Sequence, residues 1–274
     1  MTIQPRRVDP ARARGFDAWA GEYDRFRPGY PDELFTTIAQ RLLLPKQPRV
    51  VDLGAGTGRA TLAMAELGWR VTAVEPGKAM LDVLRSRATN DGLIVATRQA
   101  SAEATGLDPA SADLVTAAQS FHWFDPMRAM DEIARITRPG GGVALFWNVR
   151  DARRSPFLQD YGQLLGRSTD STEDPGIGLY ESGGREETYH LLENSGAFDS
   201  PELVELHQEV MMTPGEFAGM AFTASYVRVG LTQEQQAEFR AGLEALLHEH
   251  GYIEGEAFEV PYRIDLWIAR RSAP

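Results

Sequence analysis

Val50-Val51-Asp52-Leu53-Gly54-Ala55-Gly56-Thr57-Gly58 decides how this chain reads: an apolar run enters three glycines at alternate positions, and a helical pattern follows. The segment predicts a buried strand, a tight turn and a helix that starts at the turn. Glycine belongs where a ligand lies against the backbone, because a Cβ would hold the ligand off or forbid a positive φ. Glu75 follows 17 residues after Gly58, at the end of the next apolar run. A carboxylate at such a strand end accepts hydrogen bonds from both hydroxyls of a ribose.

The spacing separates two kinds of nucleotide. A dinucleotide turn reads G-x-G-x-x-G and presents bare amides to a pyrophosphate; this chain reads G-x-G-x-G and places Asp52 just before the turn. Asp52 favours a cationic group. S-adenosylmethionine carries an ammonium, a sulfonium and a ribose but no phosphate, so Asp52 and Glu75 suit it better than NAD.

Outward from the loop, β-rich runs at 50–53, 70–75, 93–98, 112–118 and 142–147 alternate with helical spacing at 57–67, 77–87 and 126–136. That rhythm produces a parallel sheet covered by helices. Asp125-Pro126 starts the third helix, and Arg138-Pro139-Gly140-Gly141-Gly142 is expected to stop it. Residues 15–43 read as two helices broken at Arg27-Pro28-Gly29-Tyr30-Pro31. Beyond 148, strands are expected at 202–212 and 257–269, with helices near 157–165, 186–194, 216–224 and 233–250. Three regions follow: 1–148, the N-terminal helices and cofactor-binding core; 149–200, a cap or linker insertion; and 201–274, the last strands of the same sheet with inserted cap helices.

Composition narrows the field. The chain has 274 residues, 28 Lys plus Arg against 39 Asp plus Glu (net −11), and no Cys. Disulfides, thiolate metal sites and thiol nucleophiles are therefore out, and no metal site is expected. The acidic balance and the lack of a basic patch argue against nucleic acid. No apolar run has the length of a membrane span, and the polar N-terminus has no signal-like core, so a cytoplasmic protein, monomer or homodimer, is expected.

The sequence resembles a class I S-adenosylmethionine-dependent methyltransferase of the small-molecule branch. The resemblance rests on Asp52 to Gly58, Glu75-Pro76, Ser101-Ala102-Glu103, Asp113-Leu114-Val115 and Arg138-Pro139-Gly140-Gly141. Tyr23-Asp24, the Arg27 to Pro31 stretch and Gln119-Ser120-Phe121-His122-Trp123-Phe124 are similar to the trans-aconitate methyltransferase-like subgroup. It implies an α/β fold: a Rossmann-like seven-stranded, mostly parallel sheet with an antiparallel last strand, helices on both faces and a helical cap. It implies S-adenosylmethionine as cofactor and S-adenosylhomocysteine as product. By position, Gly54, Ala55 and Gly56 approach the methionine part and Glu75 and Pro76 the ribose. Ser101, Ala102 and Glu103 edge the adenine, Gln119 faces the transfer centre, and Tyr23, Arg27 and Tyr30 close over the cofactor. Ser101 departs from the family pattern, where an acid is common.

For the acceptor, His122 is the general-base candidate by its near-neutral pKa, with Trp123 beside it. Arg150, Arg153 and Arg154 follow the fifth strand at the carboxyl edge, where one of them can pair with a substrate carboxylate. Tyr180, His190 and Arg263 are weaker candidates, and Met211 and Met212 read as core. The expected acceptor is a small molecule methylated on oxygen or carbon, a carboxylic or keto acid being favoured. An NAD-dependent Rossmann oxidoreductase and a non-catalytic S-adenosylmethionine-binding protein are the alternatives.

Overall fold

The computed structural model describes residues 20–168 and 184–272. Two N-terminal helices, α1 (Ala20–Phe26) and α2 (Asp32–Arg41), precede β1 (Arg49–Leu53), α3 (Arg59–Glu66), β2 (Arg70–Val74), α4 (Lys78–Asn90) and β3 (Ala96–Arg98). Then come β4 (Ala112–Ala118), a 3-10 turn at Phe121–Trp123, α5 (Pro126–Ile136) and β5 (Thr137–Arg150). The remainder supplies α6 (Pro156–Ser168), α7 (Gly184–Asn194), β6 (Glu202–Met212), α8 (Pro214–Phe222), α9 (Ser225–Arg228), α10 (Gln233–Glu249) and β7 (Phe258–Arg270).

All seven strands form one sheet in the order β3-β2-β1-β4-β5-β7-β6. β1 to β5 pair in parallel, while β7 runs antiparallel to both β5 and β6. The α/β Rossmann-like expectation therefore holds, including the antiparallel last strand. Strand order turns back between β1 and β4, which opens a crevice at their carboxyl ends, the place where such sheets bind ligands. Ile133, Val143 and Leu192 pack on one face of the sheet, and Leu34, Phe35, Ile38 and Met64 on the other. A third cluster, with Phe157, Tyr161, Phe217, Phe239 and Leu243, joins α6, α8 and α10 over the end of β7.

Local chemistry explains the boundaries. Asp125 caps α5 by accepting from the Arg128 amide at 3.2 Å, with Pro126 in the first turn. Thr213 with Glu216 and Thr232 with Gln235 form reciprocal capping boxes on α8 and α10. Three expectations need correction. β3 is only three residues long, because Leu93 closes α4 by donating to the Ala88 carbonyl at 2.8 Å after the left-handed Gly92. β5 begins at Thr137, five residues before the expected Gly142, so that residues 138–141 lie inside the strand. There the strand bulges past Asp113, whose carbonyl would stand 2.7 Å from a Cβ at Gly141. Met212 is core, but Met211 is 60% exposed, because alternation along β6 turns it outward.

Candidate active site

The loop after β1 occupies the crevice between β1 and β4. Gly54, Gly56 and Gly58 all have positive φ (62°, 55° and 90°), but a Cβ would meet different things at each. At Gly54 it would meet Ser120 at 2.6 Å, and at Gly58 Leu84 at 2.7 Å; at Gly56 it would meet nothing within 4 Å. Gly54 and Gly58 are thus bare for close packing, while Gly56 is bare toward open space. Glu75 faces the same point. Its carboxylate accepts from the Gly56 amide at 3.0 Å and from the Gly77 amide at 2.8 Å, so it both ties the loop and caps α4.

Asp52 sits beneath the loop. It is 1% exposed and accepts from Thr61 on α3 at 2.6 Å and Thr116 on β4 at 2.8 Å. Burial raises its pKa to about 6, against the pull of the two hydroxyls. Its charge acts on the crevice through space, while its oxygens bind the fold. Ala55 lies in the turn, held by its amide on the Val74 carbonyl.

The N-terminal segment closes this end of the sheet. Asp24 of α1 pairs with Arg87 at 2.6 Å and approaches Arg59 at 3.7 Å, tying α1 to α4 and α3. Tyr30 packs edge-on against Phe146 at 5.0 Å. Burial first, then Tyr23 and Asp52, push the Tyr30 phenol well above its ordinary pKa. Arg27 lies 5.3 Å from the Tyr23 ring and donates to Thr223 at 3.1 Å. The structure therefore brings Tyr23, Arg27 and Tyr30 together beside Asp52. Arg59 joins this group, although its position after the third glycine was the only sequence signal for it.

At the end of β4, Gln119 takes a positive φ of 55°, a conformation disfavoured outside glycine. It is held by its amide on the Phe146 carbonyl at 2.9 Å and by its side chain on the Asn148 carbonyl at 2.8 Å. Asn148 in turn donates to the Gly29 carbonyl at 3.0 Å and accepts from Gln208 at 3.0 Å. His122 follows on the 3-10 turn, where the Trp147 indole donates to its Nδ1 at 3.3 Å. That contact places the ring proton of a neutral imidazole on Nε2. Burial, with Arg27 adding, lowers the His122 pKa to about 4. Trp123 lies 5.0 Å from His122, ring to ring.

Other candidates are placed apart. Ala102 is buried, Ser101 and Pro76 are exposed, and Glu103 accepts from the Asp125 amide at 2.8 Å, at the start of α5. Arg153 pairs with Asp151 at 3.1 Å and Arg154 with Glu209 at 2.6 Å. Arg150 alone of the three turns inward, 5% exposed. Arg263 and Arg185 both grip the fully buried Asp265, and His190 lies on the surface of α7 between Glu186 and Glu193. Neither Arg263 nor His190 joins the crevice. Tyr180 lies outside the described residues. Among those residues no group of three His, Asp or Glu could hold a metal ion.

A parallel sheet with a glycine loop, a strand-end acid and a late antiparallel strand defines the class I methyltransferase architecture, and comparison with known proteins agrees. Residues 51–145 match the family described as methyltransferase domain. An uncharacterized methyltransferase of Mycobacterium tuberculosis is 43% identical over 160 residues, 58% of this chain and 62% of its own length. The malonyl-[acyl-carrier protein] O-methyltransferase of Pectobacterium atrosepticum is 32% identical over 161 residues, 57% of this chain and 60% of its own. A structure described as a type II methyltransferase from Anaeromyxobacter dehalogenans superposes with a TM-score of 0.65 at 29% identity, covering 91% of this chain and all of that one. Residues 51–145 thus match a methyltransferase domain, and the chain around them is similar to methyltransferases in sequence and fold. The matched segment spans about three-fifths of the length of the curated relatives, 62% and 60% in the two above.

Proposed function

We propose that this protein binds S-adenosylmethionine at the crevice between β1 and β4 and transfers its methyl group to a small-molecule acceptor, on oxygen or carbon, with a carboxylic or keto acid favoured. The observation that carries the reading is the pairing of Gly56 with Glu75: an open approach at the bare Cα, and a carboxylate that accepts from the Gly56 amide through one oxygen and from the Gly77 amide through the other. A ribose fits there by exchanging its hydroxyls for the two backbone amides that now occupy Glu75. Tyr23, Arg27 and Tyr30 form the wall over this end of the crevice; Ser101, Ala102 and Glu103, in the segment after β3, are assigned to the adenine by family resemblance alone.

When bound, S-adenosylmethionine supplies a methyl carbon on a sulfonium; the carbon–sulfur bond breaks with its electron pair left on sulfur as the acceptor's bond to carbon forms. The protein's share is alignment and exclusion of water, worth about 7–11 kcal/mol when the reacting groups are well oriented. Gln119, locked at both ends, gives the transfer centre a rigid edge. His122 is neutral at pH 7 and offers Nε2–H to the acceptor as a hydrogen-bond donor, since Trp147 occupies Nδ1. A ring with a pKa near 4 is a weak base, so the site suits an acceptor that arrives ionised. A carboxylate does, and the positive field of Arg27 and Arg150 favours it.

The test is a transfer screen with methyl-tritiated S-adenosylmethionine over carboxylic acids, keto acids and phenols. Label is expected in at least one acid. Binding of S-adenosylhomocysteine with no transfer across the whole screen would show a cofactor-binding protein without this activity.

A further inference from the structure

Arg27-Pro28-Gly29-Tyr30-Pro31 link α1 to α2 and carry Arg27 and Tyr30 to the crevice. Such a link holds its own shape poorly: Pro28 and Pro31 have no N–H to donate, and the Arg27 amide turns back to the Tyr23 carbonyl in α1. Among the described residues, the Gly29 carbonyl is the backbone group that ties the link to the sheet. It accepts from two side-chain amides, Asn148 Nδ2 of β5 at 3.0 Å and Gln208 Nε2 of β6 at 3.2 Å. The same Gln208 nitrogen donates to Asn148 Oδ1 at 3.0 Å, so both of its protons are engaged.

Gln208 breaks the pattern of its strand. Side chains alternate along β6, and the inward positions around it, Leu206, Val210 and Met212, pack against the apolar clusters. A residue that only filled this half-buried place would be apolar too, because a carboxamide offsets its desolvation only through hydrogen bonds. Both donor bonds of Gln208 leave β6 and cross β7, which lies between β6 and β5. They also settle which way Asn148 faces. An asparagine amide turns over with little change of shape, but with Oδ1 taken by Gln208 its Nδ2 must meet Gly29. The Asn148 backbone carbonyl meanwhile holds the Gln119 side chain at 2.8 Å.

We infer that Gln208 is a positioning residue for cofactor binding. It fixes the Asn148 amide and, with it, clamps Gly29, so that Arg27 and Tyr30 stand over the crevice before the cofactor arrives. Order already present in the free protein is not subtracted from the binding free energy. Gln208 acts through Asn148 and Gly29 and touches no cofactor. The inference rests on the proposed cofactor crevice and on Arg27 and Tyr30 as its wall.

The test is calorimetric titration of the full chain with S-adenosylhomocysteine at about pH 8 and about pH 5, for the parent, Gln208→Met and Gln208→Glu. Methionine keeps the volume and donates nothing. A carboxyl keeps the shape; ionised it donates nothing, protonated it donates once, and the two acceptor oxygens facing it raise its pKa. Tyr262, the register partner on β7, stays neutral throughout, and His207 and Glu209 alternate to the opposite face. Gln208→Met is expected to bind about fivefold more weakly than the parent at both pH values, the worth of about one hydrogen bond. Gln208→Glu is expected to match it at the higher pH and to narrow its deficit at least about twofold at the lower. Comparison with the parent at each pH cancels titrations common to all three proteins. Thermal unfolding shows whether each variant is folded, and either decides alone if the other is not. A space-filling role predicts parent-like affinity in both. No binding by the parent overturns the cofactor reading and this inference with it. Binding by the parent with changes under about twofold in the folded variants, or a Gln208→Glu deficit that is the same at both pH values, overturns the inference alone.

Discussion

Gly56 and Gly58 share a left-handed backbone yet answer to different constraints, and alanine separates them. Alanine at Gly58 drives a Cβ into Leu84, so Gly58→Ala is expected to cost about 2–4 kcal/mol of stability, from backbone strain plus overpacking. Gly56→Ala carries only the strain, about 1–2 kcal/mol, but removes the open approach; chemical denaturation and S-adenosylhomocysteine titration should rank the two variants in opposite orders. Asp52 makes a pH prediction. Its folded pKa of about 6 lies above the ordinary 3.8, so its stabilising contribution is complete below pH 4 and is lost as pH rises to 6. The difference in unfolding free energy between the parent chain and Asp52→Asn should fall by about 2 kcal/mol between pH 4 and pH 6; parallel stability curves would contradict it. For His122, a neutral donor role predicts that His122→Asn loses less than about tenfold in kcat/KM and keeps the shape of the pH profile from 6 to 8. A general base would cost about 10²–10⁴-fold. The glycines and Glu75 were legible in the sequence because their spacing alone carries the chemistry. The partners of His122 and Asp52, namely Trp147, Thr61 and Thr116, were not, since each comes from a different strand or helix and only pairing in space joins them.

Elements were legible where local chemistry is strong. α5, with Asp125 and Pro126 at its start, and β6, with regular alternation, match their expected bounds. The misreadings at β3 and at 138–141 share one cause: apolar and glycine residues serve helix closure or a bulge as readily as a strand or a helix stop, and the choice depends on neighbours far along the chain. The docking of α7 is of this kind. Arg185 at its start and Arg263 of β7 converge on Asp265, at 2.5 Å and 2.7 Å, and Arg185 also meets Glu205 at 2.5 Å. Asp265→Asn would leave the 4%-exposed Arg263 side chain without its carboxylate. A loss of about 3–5 kcal/mol is expected on breaking a buried pair from one side, read by denaturant unfolding, with faster amide exchange in α7. A change under 1 kcal/mol would show that Glu205 alone holds the helix.

Across the whole molecule, polar residues gather at the carboxyl edge of the parallel strands. The loop after β1 and Glu75 after β2 gather at the switch point, and Asn148, Arg150 and Tyr262 gather where β5 meets β7. Arg27 spans the two, touching Tyr23 on α1 and Thr223 at the end of α8, while Arg228 of α9 pairs with Glu22 of α1. The helices after β6 and the N-terminal helix are thereby joined. Among the described residues no helix is long and apolar enough to cross a membrane. The central claim, that the Gly56–Glu75 cradle takes an adenosyl sulfur ligand, is tested most directly by calorimetric titration of the parent chain and Glu75→Ala with S-adenosylhomocysteine and NAD. The account predicts saturable binding of S-adenosylhomocysteine, none of NAD, and a loss of about 10–100-fold in the variant, the worth of charge-assisted hydrogen bonds to a ribose. Binding of NAD in place of S-adenosylhomocysteine, or equal affinity in the two proteins, would contradict it.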